Sequence, residues 1–156
     1  MLVQKFQKAK VPADKEFWVN VYLENLTKIN NWDLVDSSAY QILGAWLEDK
    51  PRDILGELAK SGDLWKQRIA MVATMHFIKK DDFKDTLTIA KILLHHKHDL
   101  IHKAVGWMLR EVGNRDLATE ENFLKKHYKA MPRTALRYAI EKFPEEKRQA
   151  YLKGKI

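Results

Sequence analysis

The sequence contains no cysteine, and only 6 of its 156 residues are glycine and 4 are proline. Without cysteine the chain forms no disulfide and no thiolate metal site, which fits a protein of the reducing cytoplasm. Few glycines and prolines mean few tight turns, so long helices are favoured over many short strands. No apolar run approaches the roughly 20 residues of a membrane span, and residues 1–17 lack the apolar segment of a signal peptide. These absences predict a cytoplasmic helical protein with no membrane partner.

Basic residues outnumber acidic ones, with 28 Lys and Arg against 21 Asp and Glu and a formal net charge of +7. The excess is concentrated in residues 121–156, where ten Lys or Arg stand against four acids. Nucleic acid is the first partner that such a surface suits, and an anionic membrane surface is the second. A basic face also keeps a protein solvated, so charge alone leaves binding and solubility as alternatives.

Apolar residues recur at helical spacing along almost the whole chain, and no Asn-Gly or Asp-Gly hairpin dipeptide occurs. The predicted fold class is therefore all-α. The expected helices are one after Pro12 capped by Asp14, one after Asp33 ending before Pro51, one over residues 51–60, one capped by Asp63, one capped by Asp81 or Asp82, one capped by Asp99 and stopped by Gly113-Asn114, one opened by Thr119, one with Pro132 at its first position, and a basic tail helix within residues 144–156.

Marker residues recur at distances typical of a two-helix repeat. Asp36 and Arg68 are 32 residues apart, and Arg68 and Trp107 are 39 residues apart. A repeat of this length buries its apolar face only against its neighbours. The pattern predicts a HEAT-like solenoid of antiparallel helix pairs, formed as one domain over residues 1–156.

The stretch NNWDLVDSSA places Trp32 and Asp36 four residues apart, and hence on one face if both are helical. Asp33 is the predicted N-cap of this helix. Asp36 then either stabilises the positive end of the helix dipole or, as a carboxylate held ionised, stabilises a cation in a functional site. The spacing leaves both interpretations open.

Two further positions stand out in apolar helical runs. Arg68 is either the polar edge of its helix or a buried guanidinium, whose fork suits a phosphate or a carboxylate. Gly106 costs about 1 kcal/mol relative to alanine in mid-helix, which indicates that some group approaches the backbone closely there. The adjacent Trp107 is either part of that contact or a large core residue.

Histidines His98 and His102 have the i, i+4 spacing of a helical metal pair. No matching HExxH glutamate or thiolate accompanies them, and no glycine-rich phosphate loop is present. The sequence therefore predicts neither a metal site nor a cofactor.

Four stretches together resemble the DNA alkylation repair family, the AlkD-type HEAT-like-repeat alkylpurine DNA glycosylases. They are NWDLVDSSA, LWKQRIAM, LIHKAVGWMLREVGNRD and MPRTALRYAIEKF. The resemblance runs from about Phe17 to Phe143 and implies a short member that lacks the N-terminal helices of the family. It leaves open whether a partner chain or a second copy supplies them.

The resemblance implies that Trp32, Asp36, Arg68 and Trp107 line a concave, DNA-binding cleft. The implied reaction is excision of N3- or N7-alkylated purines from duplex DNA without a cofactor and without moving the base into a deep pocket. Asp36 would stabilise the oxocarbenium-like sugar, the tryptophans would pack against the lesion nucleotide, and Arg68 would hold a phosphate. The alternatives are a non-catalytic DNA-binding HEAT-like module and a helical-repeat scaffold for proteins.

Overall fold

The computed structural model describes all 156 residues, and its secondary structure consists of helices without any strand. The predicted all-α class is confirmed. The α-helices are α1 (Leu2–Lys8), α2 (Pro12–Glu24), α3 (Trp32–Asp36), α4 (Asp53–Ala59), α5 (Leu64–Ala73), α6 (Met75–Ile78), α7 (Lys84–Ile92), α8 (Asp99–Arg115), α9 (Leu117–His127), α10 (Arg133–Ala139) and α11 (Glu145–Leu152). Short 3₁₀ turns occupy Leu26–Lys28 and Leu47–Asp49, and a π-helical segment occupies Tyr40–Gly44.

The helix starts follow the predicted pattern but not always the predicted residue. Asp63 caps α5 as expected, with its carboxylate accepting the backbone N–H groups of Trp65 and Lys66 at 3.0 and 2.9 Å. The prediction of Asp33 as a cap was wrong, because Asn31 has the extended backbone of a cap and its side chain accepts the Leu34 N–H at 2.9 Å.

Other predicted starts also move. The prediction of Asp81 or Asp82 as the cap of α7 was wrong, since Phe83 after them is the N-cap, and Pro132 is the N-cap of α10 and not its first residue. The structure places the N-cap at a residue preceding the predicted Asp or Thr in α2, α8 and α9, because only the residue with non-helical backbone before the first helical turn can serve. The observed N-cap residues are Val11 for α2, Arg52 for α4, Phe83 for α7, His98 for α8, Asp116 for α9, Pro132 for α10 and Pro144 for α11.

The single helix predicted between Asp33 and Pro51 is interrupted. The hydroxyl groups of Ser37 and Ser38 donate to the carbonyl oxygens of Asp33 and Leu34 at 2.7 and 2.5 Å. Such local bonds compete with the regular helical pattern. The chain ends α3 there and continues as the π-helical segment, a conformation that often marks functional regions.

Two glycines make room for other helices rather than ending their own. A Cβ atom at Gly106 in α8 would collide with the Ala135 carbonyl and with Tyr138 of α10. The close approach predicted at Gly106 is thus the approach of α10. A Cβ atom at Gly113 would collide with the Glu120 carboxylate of α9, and α8 continues past Gly113 instead of stopping there.

Helices α3, α5, α8 and α10 contact one another in that order, so that each lies beside the next. Helices α4 and α7 contact each other and pack against α5 and α8, respectively. One hydrophobic core runs from Phe6 in α1 to Tyr151 in α11. This neighbour-to-neighbour order is consistent with a helical-repeat solenoid. None of the helices has the length and apolar character that crossing a membrane requires.

Candidate functional site

The centre of the candidate site is an ion pair between α3 and α5. Arg68 donates from Nε to Asp36 Oδ1 at 3.0 Å and from Nη2 to Asp36 Oδ2 at 2.8 Å. The side chain of Arg68 is 6% exposed and that of Asp36 is 20% exposed. This two-pronged geometry is the strong form of a charged hydrogen bond. Of the two interpretations of Arg68, the structure shows the buried guanidinium, and its partner is a carboxylate.

Arg68 also joins a third helix. Its Nη1 donates to the carbonyl oxygen of Leu100 in the first turn of α8. Three of the five guanidinium N–H groups are thereby used, and two remain. The predicted contact of Arg68 with phosphate stays a prediction, since the observed contacts are all within the protein.

The position of Asp36 in its helix differs from the one expected. With Asn31 as the cap, Asp36 is the fifth and last residue of α3 instead of a first-turn residue. The positive end of a helix dipole acts only over the first turn. The charge of Asp36 is therefore balanced by Arg68, and the interpretation based on the helix dipole was wrong.

The two tryptophans of the predicted site lie on different helices. Trp32 begins α3 and is 54% exposed, which leaves its indole largely free for a partner. Trp107 lies in α8 and is partly buried against the hydrophobic core. Trp32 and Asp36 do share one helix with the predicted spacing of four. The roles of both tryptophans stay predictions.

Basic side chains continue along α8 and α10 towards the C-terminus. An open pocket of about 360 Å³ is lined by Arg110, Arg137 and Arg148 together with Tyr138 and Glu141. Arg110 forms an ion pair with Glu141, and Arg148 forms one with Glu145 at 2.6 Å. No ion pair involves Arg137, which is exposed on α10. This end of the molecule therefore presents positive charge that can attract an anion.

The histidines have structural partners. His98 accepts the backbone N–H of Leu100 at its Nδ1 at 3.1 Å, and His102 Nε2 bonds to the His96 carbonyl oxygen at 2.5 Å. No group of three or more His, Cys, Asp or Glu side chains is placed to hold a metal ion. Sequence reasoning missed this bonded cluster, although the density of histidines between residues 95 and 102 was its visible sign.

Fold and site together define an all-helical protein with a partly buried aspartate–arginine pair, an exposed indole in the helix of the aspartate and a basic surface. The family model described as DNA alkylation repair enzyme matches residues 1–143, and the chain belongs to this family. No curated protein and no solved structure matches the chain. The match includes residues 1–16, so the similarity to the family extends through α1 and begins before Phe17, where the resemblance in the four stretches was expected to start. Membership supports a role in DNA repair, with DNA as the substrate.

Proposed function

We propose that this protein is a DNA glycosylase that excises N3- or N7-alkylated purines from duplex DNA. The observation that carries the proposal is the geometry of Asp36. Its carboxylate is held at both oxygens by a buried arginine, yet remains 20% exposed in the same helix as the exposed Trp32. A fixed, partly exposed anion of this kind is suited to stabilise a cation that forms beside it.

The reaction needs little more than such an anion. A purine alkylated at N3 or N7 carries a positive charge, so it leaves with the electron pair of the bond between its nitrogen and C1′ without first being protonated. The C1′ atom then gains oxocarbenium character, as in other glycosidic cleavages. A water oxygen forms the new bond to C1′ and loses a proton. The products are the free alkylated base and an abasic site in the DNA.

Asp36 can both stabilise the sugar cation and orient the attacking water. A carboxylate offers about four acceptor positions, and Arg68 occupies one on each oxygen. The remaining positions are free to accept a hydrogen bond from the attacking water, while the negative charge stabilises the sugar. We assign Arg68 the role of a positioning residue, because it fixes the orientation of the carboxylate and is itself almost fully buried.

The other site residues serve to bind the duplex. Trp32 presents a large exposed indole to the sugar and backbone of the lesion nucleotide. Trp107 supports the same nucleotide from α8. The net charge of +7 and the arginine-lined pocket of about 360 Å³ favour binding of the phosphate backbone of DNA.

A non-catalytic DNA-binding module is the second candidate, and one observation favours it. Because Arg68 joins α3, α5 and α8 through Asp36 and Leu100, the ion pair has a structural function that would persist without catalysis. The basic surface would then bind DNA without any bond being broken.

The experiment that separates the two is incubation with a duplex containing 7-methylguanine, followed by chromatographic measurement of the free base. The Asp36→Asn variant should release base about 10²-fold more slowly, the scale of losing one preorganised electrostatic group. Asp33→Asn is the matched control, because Asp33 is exposed in the same helix and undergoes the same change. Wild-type protein that binds the duplex and releases no base would establish the second candidate instead.

A further inference from the structure

The loop between α7 and α8 is tied to α5 by a bond between two side chains. His96 Nε2 lies 2.9 Å from Gln67 Oε1, and Gln67 Nε2 donates to the Ala59 carbonyl oxygen at 3.2 Å. Gln67 is only 8% exposed. A buried amide with both ends bonded has a fixed position, so it holds the loop at a defined point of α5.

The loop is also braced from within. The backbone N–H of His98 donates to His96 Nδ1 at 3.0 Å, and the carbonyl oxygen of His96 accepts from His102. Because Nδ1 of His96 is an acceptor, the ring proton lies on Nε2, which therefore donates to Gln67. Burial, together with the nearby His102 and His98, lowers the pKa of His96, in agreement with a neutral ring. The orientation of the imidazole is thereby determined at both nitrogens.

Hydrogen bonds connect this loop to the candidate site as well as to Gln67. Gln67 is the neighbour of Arg68 in α5, and Arg68 bonds both to Asp36 and to the Leu100 carbonyl oxygen. The N–H of Leu100 in turn bonds to His98 in the braced loop. Two adjacent side chains of α5 thus hold two points of the junction where α8 begins.

We propose that Gln67 and His96 are a positioning pair that fixes the start of α8 against α5 and thereby holds the Arg68–Asp36 pair in its working geometry. Neither residue touches a reacting atom, so their effect passes through Arg68 and Leu100. The consequence for base release rests on the proposed glycosylase function, whereas the consequence for geometry does not. A small misplacement at a site of this kind costs up to about 10²-fold in rate.

Two single variants and the double variant that combines them test the Gln67–His96 pair. Gln67→Met keeps the length of the side chain and removes both hydrogen bonds, and His96→Asn keeps an acceptor near the His98 N–H but is too short to reach Gln67. His95→Asn is the control, because His95 is the exposed neighbour and takes part in no side-chain hydrogen bond. We call the hydrogen bond between His96 and Gln67 the bridge, and Gln67→Met and His96→Asn the bridge variants. If the bridge positions the Arg68–Asp36 pair, each bridge variant slows single-turnover release of 7-methylguanine by about 10-fold. The double variant is no slower than either single one, since both changes remove the same interaction.

Two further readouts separate positioning from simple loss of structure. Affinity for an undamaged duplex should stay within about two-fold in the bridge variants, because phosphate contacts dominate it. The NMR signal of the Arg68 Nε–H group should shift in Gln67→Met and His96→Asn and not in His95→Asn. Melting temperatures establish that each variant is folded, and His96→Asn decides alone if Gln67→Met does not fold.

An unchanged Arg68 Nε–H signal in both bridge variants would overturn the proposal. So would base release at the wild-type rate, or effects that multiply in the double variant. If the wild-type protein releases no base, the glycosylase proposal fails, and the Arg68 signal still decides whether Gln67 and His96 position the pair.

Discussion

Removing Arg68 should destabilise the protein far more than removing an ordinary surface charge. Arg68→Met keeps an unbranched side chain of similar bulk and eliminates three hydrogen bonds, two of them to Asp36 and one to the Leu100 carbonyl oxygen. Removing one partner of a fully buried ion pair costs about 3–5 kcal/mol. Asp36 is 20% exposed and regains some water, so we expect a loss of about 2–3 kcal/mol, within the range for unpaired charged groups.

The control for this change is Lys103→Met. Lys103 pairs with Asp99 at 3.0 Å on the surface of α8, where the side chains are 41% and 55% exposed. Exposed pairs contribute only about 0–1 kcal/mol. The free energy of unfolding, measured by urea denaturation with circular dichroism at neutral pH, should therefore fall clearly for Arg68→Met and little for Lys103→Met.

A double-mutant cycle with Asp36→Asn tests whether the loss comes from the pair itself. If it does, the double variant should be more stable than the sum of the two single losses implies, by about 0.5–3 kcal/mol, the range for residues in one network. Additive losses would refute the reasoning, because they would mean that the two side chains act independently. A loss below about 0.5 kcal/mol for Arg68→Met would do the same, as that is the usual range for surface changes.

Three further predictions concern Glu120, two glycines and the basic surface. Burial and the charge of Glu121 raise the pKa of Glu120 to about 8. Because this folded value lies above the unfolded one, the stability gained from the protonated form is complete below about pH 4.5 and is lost as the pH rises through 8. The urea midpoint of Glu120→Gln should therefore rise relative to that of the wild type from about pH 5 to pH 8, and a constant difference would contradict this. Gly106→Ala should lower the melting temperature, because overpacking costs about 1–3 kcal/mol of stability. At Gly56 a Cβ atom meets open space, so Gly56→Ala should stabilise the protein by up to about 1 kcal/mol. Equal effects at both glycines would be inconsistent with the packing described. DNA affinity measured by fluorescence anisotropy should fall linearly with the logarithm of salt concentration, and an affinity independent of salt would argue against phosphate contacts.

The helical class of this protein is determined by its sequence alone. The apolar spacing of 3.6 residues is a local property, and so is the capping of α5 by Asp63, whose side chain reaches N–H groups two and three residues away. The four stretches that resemble the DNA alkylation repair family were sufficient to identify the family that the match over residues 1–143 shows. Local signals failed where several polar residues stand side by side, as at Asn31 and Asp33, because each could cap and only the backbone geometry selects one.

The candidate site depended on tertiary structure. The sequence left open whether Arg68 is the polar edge of its helix or a buried guanidinium. Its bond to the Asp36 carboxylate could be found only once α3 was known to lie against α5. The approach predicted at Gly106 was real, yet only the fold shows that α10 makes it. Both contacts join residues about 30 positions apart in the sequence. A side chain's chemistry limits what it can bind, whereas the packing of distant helices decides which partner is within reach.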